Sequence, residues 1–256
     1  MKKILSIVLS ITMLFSLTTT AFAESEGVDD RFNPNSFPAD ADLESELSNR
    51  SAEDELIIVD APDGEKVEAT IDAAFDSRAA SSTVAVMRIF AINDGGGSSF
   101  NTSGHAFLSI ENTSGSTITV GGLSVEAGKT VTVGTWGNKD EHTGLWYNLE
   151  GYFQNQSNAY SNAVSLRVSL SSNLLETVST NIKNNDSWGL LSNCSTFATK
   201  IWNSVCSTKV SAGTPNTPTS TVNSIKSYTD LYSTGVAIPY FGTVYYGNPP
   251  KQSSVY

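Results

Sequence analysis

The sequence is poor in basic residues, with 15 Lys and Arg against 26 Asp and Glu in 256 residues, and they form no patch. That excludes a basic nucleic-acid binder, which needs clustered cations to displace counterions from phosphates. Long apolar stretches are missing after the first 23 residues, so no later segment has the roughly 20 residues that a spanning helix needs. No internal repeat of solenoid period is present. Histidine is rare, with only His105 and His142. The run Asp140-Glu141-His142 has no second His at i+4, lacks the spacing of a metal motif, and reads as a charged turn. The Gly95 to Gly97 run has no following Lys-Ser/Thr and leads toward a strand, so it is not a phosphate cradle. Neither a metal nor a cofactor is implied.

What the chain does contain is unevenly distributed. Residues 24–78 hold 17 acidic and 4 basic groups, a net charge of −13, whereas residues 79–256 hold 9 of each. The overall −11 therefore describes one segment. Residues 1–23 read as an export signal: Lys2 and Lys3, an apolar stretch from Ile4 to Leu17, and Ala21-Phe22-Ala23 as a small-x-small cleavage site. Residues 24–78 read as an acidic pro-segment or weakly ordered leader, with short apolar patches only at Leu56 to Val59 and Val67 to Phe75. Residues 79–256 carry enough apolar side chains to bury a core. These features predict a secreted or cell-envelope protein with no integral membrane segment once the signal is removed.

The neutral part begins with strand patterns. Thr83 to Ile92, His105 to Glu111, Thr117 to Val120 and Thr130 to Trp136 alternate in the manner of a meander, and Leu145 to Phe153 and Ala163 to Leu170 are further strand candidates. The last third turns helical. Ser171 and Ser172 cap a run with Leu174, Leu175, Val178 and Ile182 on one face, a second helix starts at Cys194, and a third follows Thr217-Pro218. The expected class is α+β, an antiparallel sheet packed against a helix that bears a cysteine.

Two cysteines in an exported chain invite a disulfide. Local geometry opposes it, because Phe197, Ala198, Ile201, Trp202 and Val205 share a face at helical spacing between them. Twelve residues of helix separate Cys194 from Cys206 by roughly 18 Å at about 1.5 Å per residue, and a disulfide needs less than about 7 Å.

Cys194 at a helix start, with Asn193 as its cap, sits where partial positive charge and free N–H groups favour a thiolate and can hold an oxyanion. His105, after Gly104 on a strand, supplies a candidate base. Gly104-His105-Ala106-Phe107-Leu108 on a strand, followed about ninety residues later by Asn193-Cys194-Ser195-Thr196-Phe197-Ala198 opening a helix, resembles the circularly permuted branch of the papain-like NlpC-type superfamily. In that branch, to which the lecithin:retinol acyltransferase-like proteins belong, the His strand precedes the Cys helix. Thr214-Pro215-Asn216 resembles a turn that follows the Cys helix in some bacterial members.

The resemblance implies a cysteine hydrolase or acyl transferase with Cys194 as nucleophile, His105 as base and a third polar residue that orients the imidazole. His142, Asn148 and Glu150 all lie between the two; Asn148 is the first choice for that role and His142 the second. For such an exported protein the resemblance implies a peptide or peptidoglycan fragment as substrate, with acyl lipids as the rival. Trp136, Trp146 and Tyr147 are candidates to line a substrate groove, although core packing is the commoner use of such residues. A binding domain with an inert Cys194 is the alternative from another class. Glu111 and Glu150 would serve glycoside hydrolysis only if folding brought them together.

Overall fold

The computed structural model describes residues 56–71, 83–93, 104–189 and 191–256. The export signal, the acidic segment up to residue 55, residues 72–82 and the glycine-rich stretch 94–103 lie outside the described residues. The architecture is α+β. Its strands are β1 (Ala85–Ile92), β2 (His105–Asn112), β3 (Ile118–Val120), β4 (Leu123–Val125), β5 (Thr130–Trp136), β6 (Gly144–Tyr147), β7 (Val164–Leu170), β8 (Ser233–Thr234), β9 (Tyr245–Tyr246) and β10 (Lys251–Gln252). Four helices are described: α1 (Leu149–Ser157), α2 (Ser172–Asn184), α3 (Cys194–Val205) and α4 (Pro218–Lys226). Eight strands form one sheet in the order β10-β9-β6-β5-β2-β1-β7-β8, antiparallel at each pairing, and β3 and β4 form a separate hairpin. None of the described helices is long and apolar enough to cross a membrane.

Alternation along the strands divides the core in two. Met87, Ile89, Leu108, Ile110 and Val133 join one cluster with Leu174 and Val178 of α2, Phe197 and Ile201 of α3, and Val222 and Ile225 of α4. Phe90, Phe107, Trp136 and Trp146 join the other with Leu149 and Phe153 of α1 and with Tyr160. The three longer-range helices cap as their sequences indicate: the side chains of Ser171, Asn193 and Thr217 accept backbone N–H bonds at the starts of α2, α3 and α4.

The stretch Leu145 to Phe153 departs from the expected single strand. It is β6 followed by α1, and the break is Asn148, in the left-handed region at φ 63°. Asn tolerates that conformation better than most residues. The Asn148 N–H donates to Thr132 O and its amide donates to Thr243 O, so the turn is tied to β5 and to the C-terminal segment. Its consequence is that Glu150 emerges from a helix crossing the sheet rather than from a strand within it.

The described end of the acidic segment, residues 56–71, lies extended along α2 and the end of α3, with Leu56, Ala61 and Ala69 buried in the larger cluster. Two asparagines hold it by the backbone. Asn181 accepts from Val59 N–H and donates to Val59 O at 2.8 and 2.9 Å, and Asn185 does the same for Ile57 at 2.8 Å each. The match is geometric: four residues of helix rise about 6 Å, and two residues of extended chain advance about 6.6 Å. An i, i+4 pair of amides, Asn181 on α2 and Asn185 at its C-cap, therefore reads every second residue of the strap. Further bonds join Ala61 N–H to Ser204 O, Val67 N–H to Val205 O and Thr70 N–H to Arg167 O.

Replacing Asn181 and Asn185 together by Ala removes four hydrogen bonds to the strap. At about 1 kcal/mol each, the expected loss is about 2–4 kcal/mol. Urea denaturation measures the loss, and amide exchange at Ile57 and Val59 should accelerate. Unchanged exchange at those two amides would show that the strap is held by its apolar contacts instead.

Candidate active site

His105 is the first residue of β2 and Cys194 the first residue of α3. The position of His105 depends on Gly104, whose φ of +107° is closed to most side chains and whose missing Cβ leaves room for the backbone of Ile92 and Asn93. The imidazole lies in the aromatic cluster, with ring centroids 4.6 Å from Trp136, 5.3 Å from Phe107 and 6.0 Å from Tyr160. Cys194 comes from the helix layer on the opposite face. The two interact because each stands at the beginning of its element, where the sheet ends.

The partner that orients the imidazole is Glu150. Its Oε1 lies 2.9 Å from His105 Nε2 and accepts from Trp136 Nε1, also at 2.9 Å. His105, Glu150 and Trp136 have no exposed surface. A carboxylate beside Nε2 holds the proton on that nitrogen and leaves the lone pair on Nδ1. Gly134 on β5 makes the contact feasible, because a Cβ there would collide with Glu150 Oε1 and approach His105 Nε2 to 3.1 Å.

Burial opposes protonation of the imidazole, yet hydrogen bonding to Cys194 and to Glu150, together with their negative charges, outweighs it and pushes the His105 pKa up to about 9. Cys194 is wholly buried. At the other end of α3 Cys206 is also a free thiol, and burial pushes its pKa up to about 11. The helix does not leave all its N-terminal donors open. Asn193 Oδ1 accepts from Ser195 N–H at 3.0 Å and Thr196 N–H at 3.2 Å. The Thr-Pro-Asn turn braces this end: Asn193 donates to Asn216 O, and the Asn216 amide donates to Leu191 O and Thr196 Oγ1.

The remaining candidates fall elsewhere. Asn148, first choice as the orienting residue, donates its amide to Thr243 O. His142 pairs through Nε2 with Asp186 Oδ1 at 2.6 Å and stacks on Tyr246 at 5.4 Å. Asp186 also accepts from Leu145 N–H and Asn248 N–H, so that pair joins β6 to the segment before β10. Trp136, Trp146 and Tyr147 are packed with no exposed surface, as His105 and Cys194 are, and Trp136 donates to Glu150. Glu111 is exposed near the far end of β2. Six residues of strand place it about 20 Å from His105, and no carboxylate pair with Glu150 forms. Glu141 is taken up by Ser253 and Ser254. Among the described residues no three His, Cys, Asp or Glu side chains gather as a metal would require.

Sequence reasoning named Glu150 but ranked it below Asn148 and His142. The signal that would have promoted it is local: an Asn able to take the left-handed turn, followed by an acidic residue in the first turn of a helix. Comparison of the chain with family models, with curated proteins and with solved structures finds no significant match.

NMR titration of the His105 imidazole should give a midpoint near 9. Glu150→Gln and Cys194→Ala should each lower it by about a unit or more. Because the folded pKa lies above the ordinary 6.5, the stability this group contributes is complete below about pH 6.5 and is lost as pH rises through about 9. A midpoint at or below 6.5 in the wild type would contradict the buried pairing. Gly134→Ala should displace Glu150 from the imidazole, destabilise the fold by about 1–3 kcal/mol through overpacking, and move the His105 midpoint toward 6.5; calorimetry and the same titration check it.

Proposed function

We propose that this chain is an exported cysteine amidohydrolase or peptidase, with Cys194 as nucleophile, His105 as general base and Glu150 as the group that orients the imidazole. The observation that supports it most is the buried carboxylate on His105 Nε2, with Cys194 at a helix start near enough to raise the imidazole's pKa. A histidine serving only to fill the core has no need of a second buried charge. Burying a carboxylate and an imidazolium costs several kcal/mol per ion before pairing, so apolar side chains of the same volume would make the more stable core. Such an arrangement is retained where chemistry requires it.

In the resting pair the proton is shared between thiol and imidazole, and the imidazolium favours the thiolate. Attack by Sγ on an amide or ester carbonyl forms an acyl-enzyme. The imidazolium then gives its proton to the departing nitrogen or oxygen, and water completes hydrolysis with His105 again as base. Glu150 keeps the ring in the required tautomer and stabilises its charged form.

The order of His strand before Cys helix fits a circularly permuted papain-like domain of the NlpC type. On that resemblance a stem peptide of peptidoglycan is the preferred substrate, and an acyl lipid the second. The full burial of Cys194 favours the rival reading, a secreted binding domain in which the thiol is inert.

Alkylation by iodoacetamide at about pH 6 separates the two, since an ordinary thiol of pKa about 8.5 is almost wholly protonated there. Cys194 should react at least about tenfold faster than Cys206, whose pKa near 11 keeps it protonated, and His105→Ala should remove the advantage. Equally slow labelling of both thiols would sink the enzyme reading. Release of amine from peptidoglycan fragments against release of acid from acyl esters, each compared with Cys194→Ala, then assigns the substrate class.

A further inference from the structure

One buried group beside the dyad has no task in the scheme above. Tyr160 is 2% exposed, and its hydroxyl has no hydrogen-bond partner. Leaving such a group unsatisfied costs about 1–3 kcal/mol. The ring is fixed: it lies 5.2 Å from Phe107 and 6.0 Å from His105, and its own N–H donates to Gln154 Oε1 at 2.8 Å, which locks the turn after α1. A rigid buried donor without an acceptor, beside the imidazole, is what a developing negative charge requires.

The helix supports this assignment by what it has already committed. Ser195 and Thr196 N–H, the donors that follow Cys194, are held by Asn193 Oδ1. With those two committed, a tetrahedral oxygen on a group attached to Cys194 gains from a side-chain donor on another element, beside what the Cys194 N–H supplies. We propose that the Tyr160 hydroxyl is that donor, a catalytic residue that stabilises the oxyanion formed when Cys194 attacks a carbonyl; this rests on the dyad reading above.

Atom by atom, the Sγ–C bond forms as the carbonyl π pair moves onto oxygen, and Tyr160 O–H donates to that oxygen without giving up its proton. Collapse restores the C=O bond and breaks the bond to the leaving group, which takes the proton from His105 Nδ1. Water attacks the thioester, passes its proton to His105, and builds a second oxyanion in the same place; collapse then expels the thiolate. Burial, and then the charges of Glu150 and Cys194, hold the phenol pKa well above its ordinary 10, so Tyr160 stays a donor throughout the working range.

The test compares two reactions of Cys194 in the full chain. Alkylation by iodoacetamide displaces iodide and develops no oxyanion, whereas acyl transfer from p-nitrophenyl acetate does. In Tyr160→Phe, alkylation should stay within about twofold of wild type while the acylation burst falls by about 10²-fold or more. Removing an unpartnered hydroxyl should not harm folding. A second measurement needs no variant: p-nitrophenyl thionoacetate, whose sulfur accepts hydrogen bonds poorly, should acylate the wild type far more slowly than the oxygen ester.

Unchanged acylation in Tyr160→Phe with normal alkylation would overturn the role of Tyr160 and leave the dyad standing. An equal fall in both reactions would also overturn it, by showing that Tyr160 acts on the thiol. A wild type inert to both reagents would overturn the dyad reading itself, and the proposal with it.

Discussion

The carboxylate of Glu150 buried against the imidazole of His105 is the constraint around which the aromatic half of the protein is arranged. A charge without solvent needs partners, and each partner comes from a different element: Nε2 from the start of β2 and the indole N–H from the end of β5. The carboxylate itself stands on α1, which crosses the strands because Asn148 turns the chain. The space between them exists because β5 carries a glycine at position 134. Lys139 adds a cation 4.4 Å from the Trp136 ring and 4.9 Å from the Phe153 ring, so a positive charge backs the indole that holds the carboxylate. Packing and electrostatics therefore share the same residues, and a change at any of these elements is felt at the imidazole.

The opposite layer has a different logic. The larger cluster is apolar and helical, and its polar groups serve the backbone of the strap. Asn181 on α2 and Asn185 at its C-cap are buried, where unpaired amides would be costly. Their satisfaction by residues 57 and 59 makes the end of the acidic segment part of the domain's own hydrogen bonding. The strap meets α3 near Ser204 and Val205, whereas Cys194 lies at the other end of that helix. Twelve residues at about 1.5 Å each put roughly 18 Å between those ends. In the described residues, then, the strap braces the body and does not lie over the thiol. Its acidic side chains face outward: Asp60 and Asp63 pair with Lys66 at 3.0 and 3.6 Å, a surface pairing of little energetic weight.

Much of this was legible in the sequence where period and capping agree. Ser171, Asn193 and Thr217 before helical runs mark three helix starts, and the strand alternation marks β1, β2, β5 and β7. The two elements that bear His105 and Cys194 are both among these, because a His at a strand start and a Cys at a helix start are local features. What was not legible depends on reversal. Leu145-Trp-Tyr-Asn-Leu-Glu-Gly-Tyr-Phe153 is aromatic enough to pass for one strand, and only the left-handed Asn148 breaks it. A single residue in that conformation sends the next side chains to another layer, which is why Glu150 is the imidazole's partner and Asn148, two positions earlier, is not. The roles of Asn181 and Asn185 were hidden for another reason. An asparagine on a helix face looks solvent-exposed until the chain that covers it, about 120 residues upstream, is known.

The two cysteines show how little residue type decides by itself. Both are buried, both are free, and both belong to α3 or its cap. Cys206, at the C-terminal end, meets the negative end of the helix dipole and an apolar surround, and its proton is held more tightly than in water. Cys194, at the N-terminal end, meets the positive end of the same dipole and an imidazole whose other nitrogen is paired to a carboxylate. Desolvation acts against charge at both positions, so the difference between them comes from the partner and from helix polarity. One helix thus carries two buried thiols, one at each end, in opposite electrostatic surroundings. Glu150 reinforces that difference, because its carboxylate favours the protonated form of the imidazole beside the first thiol.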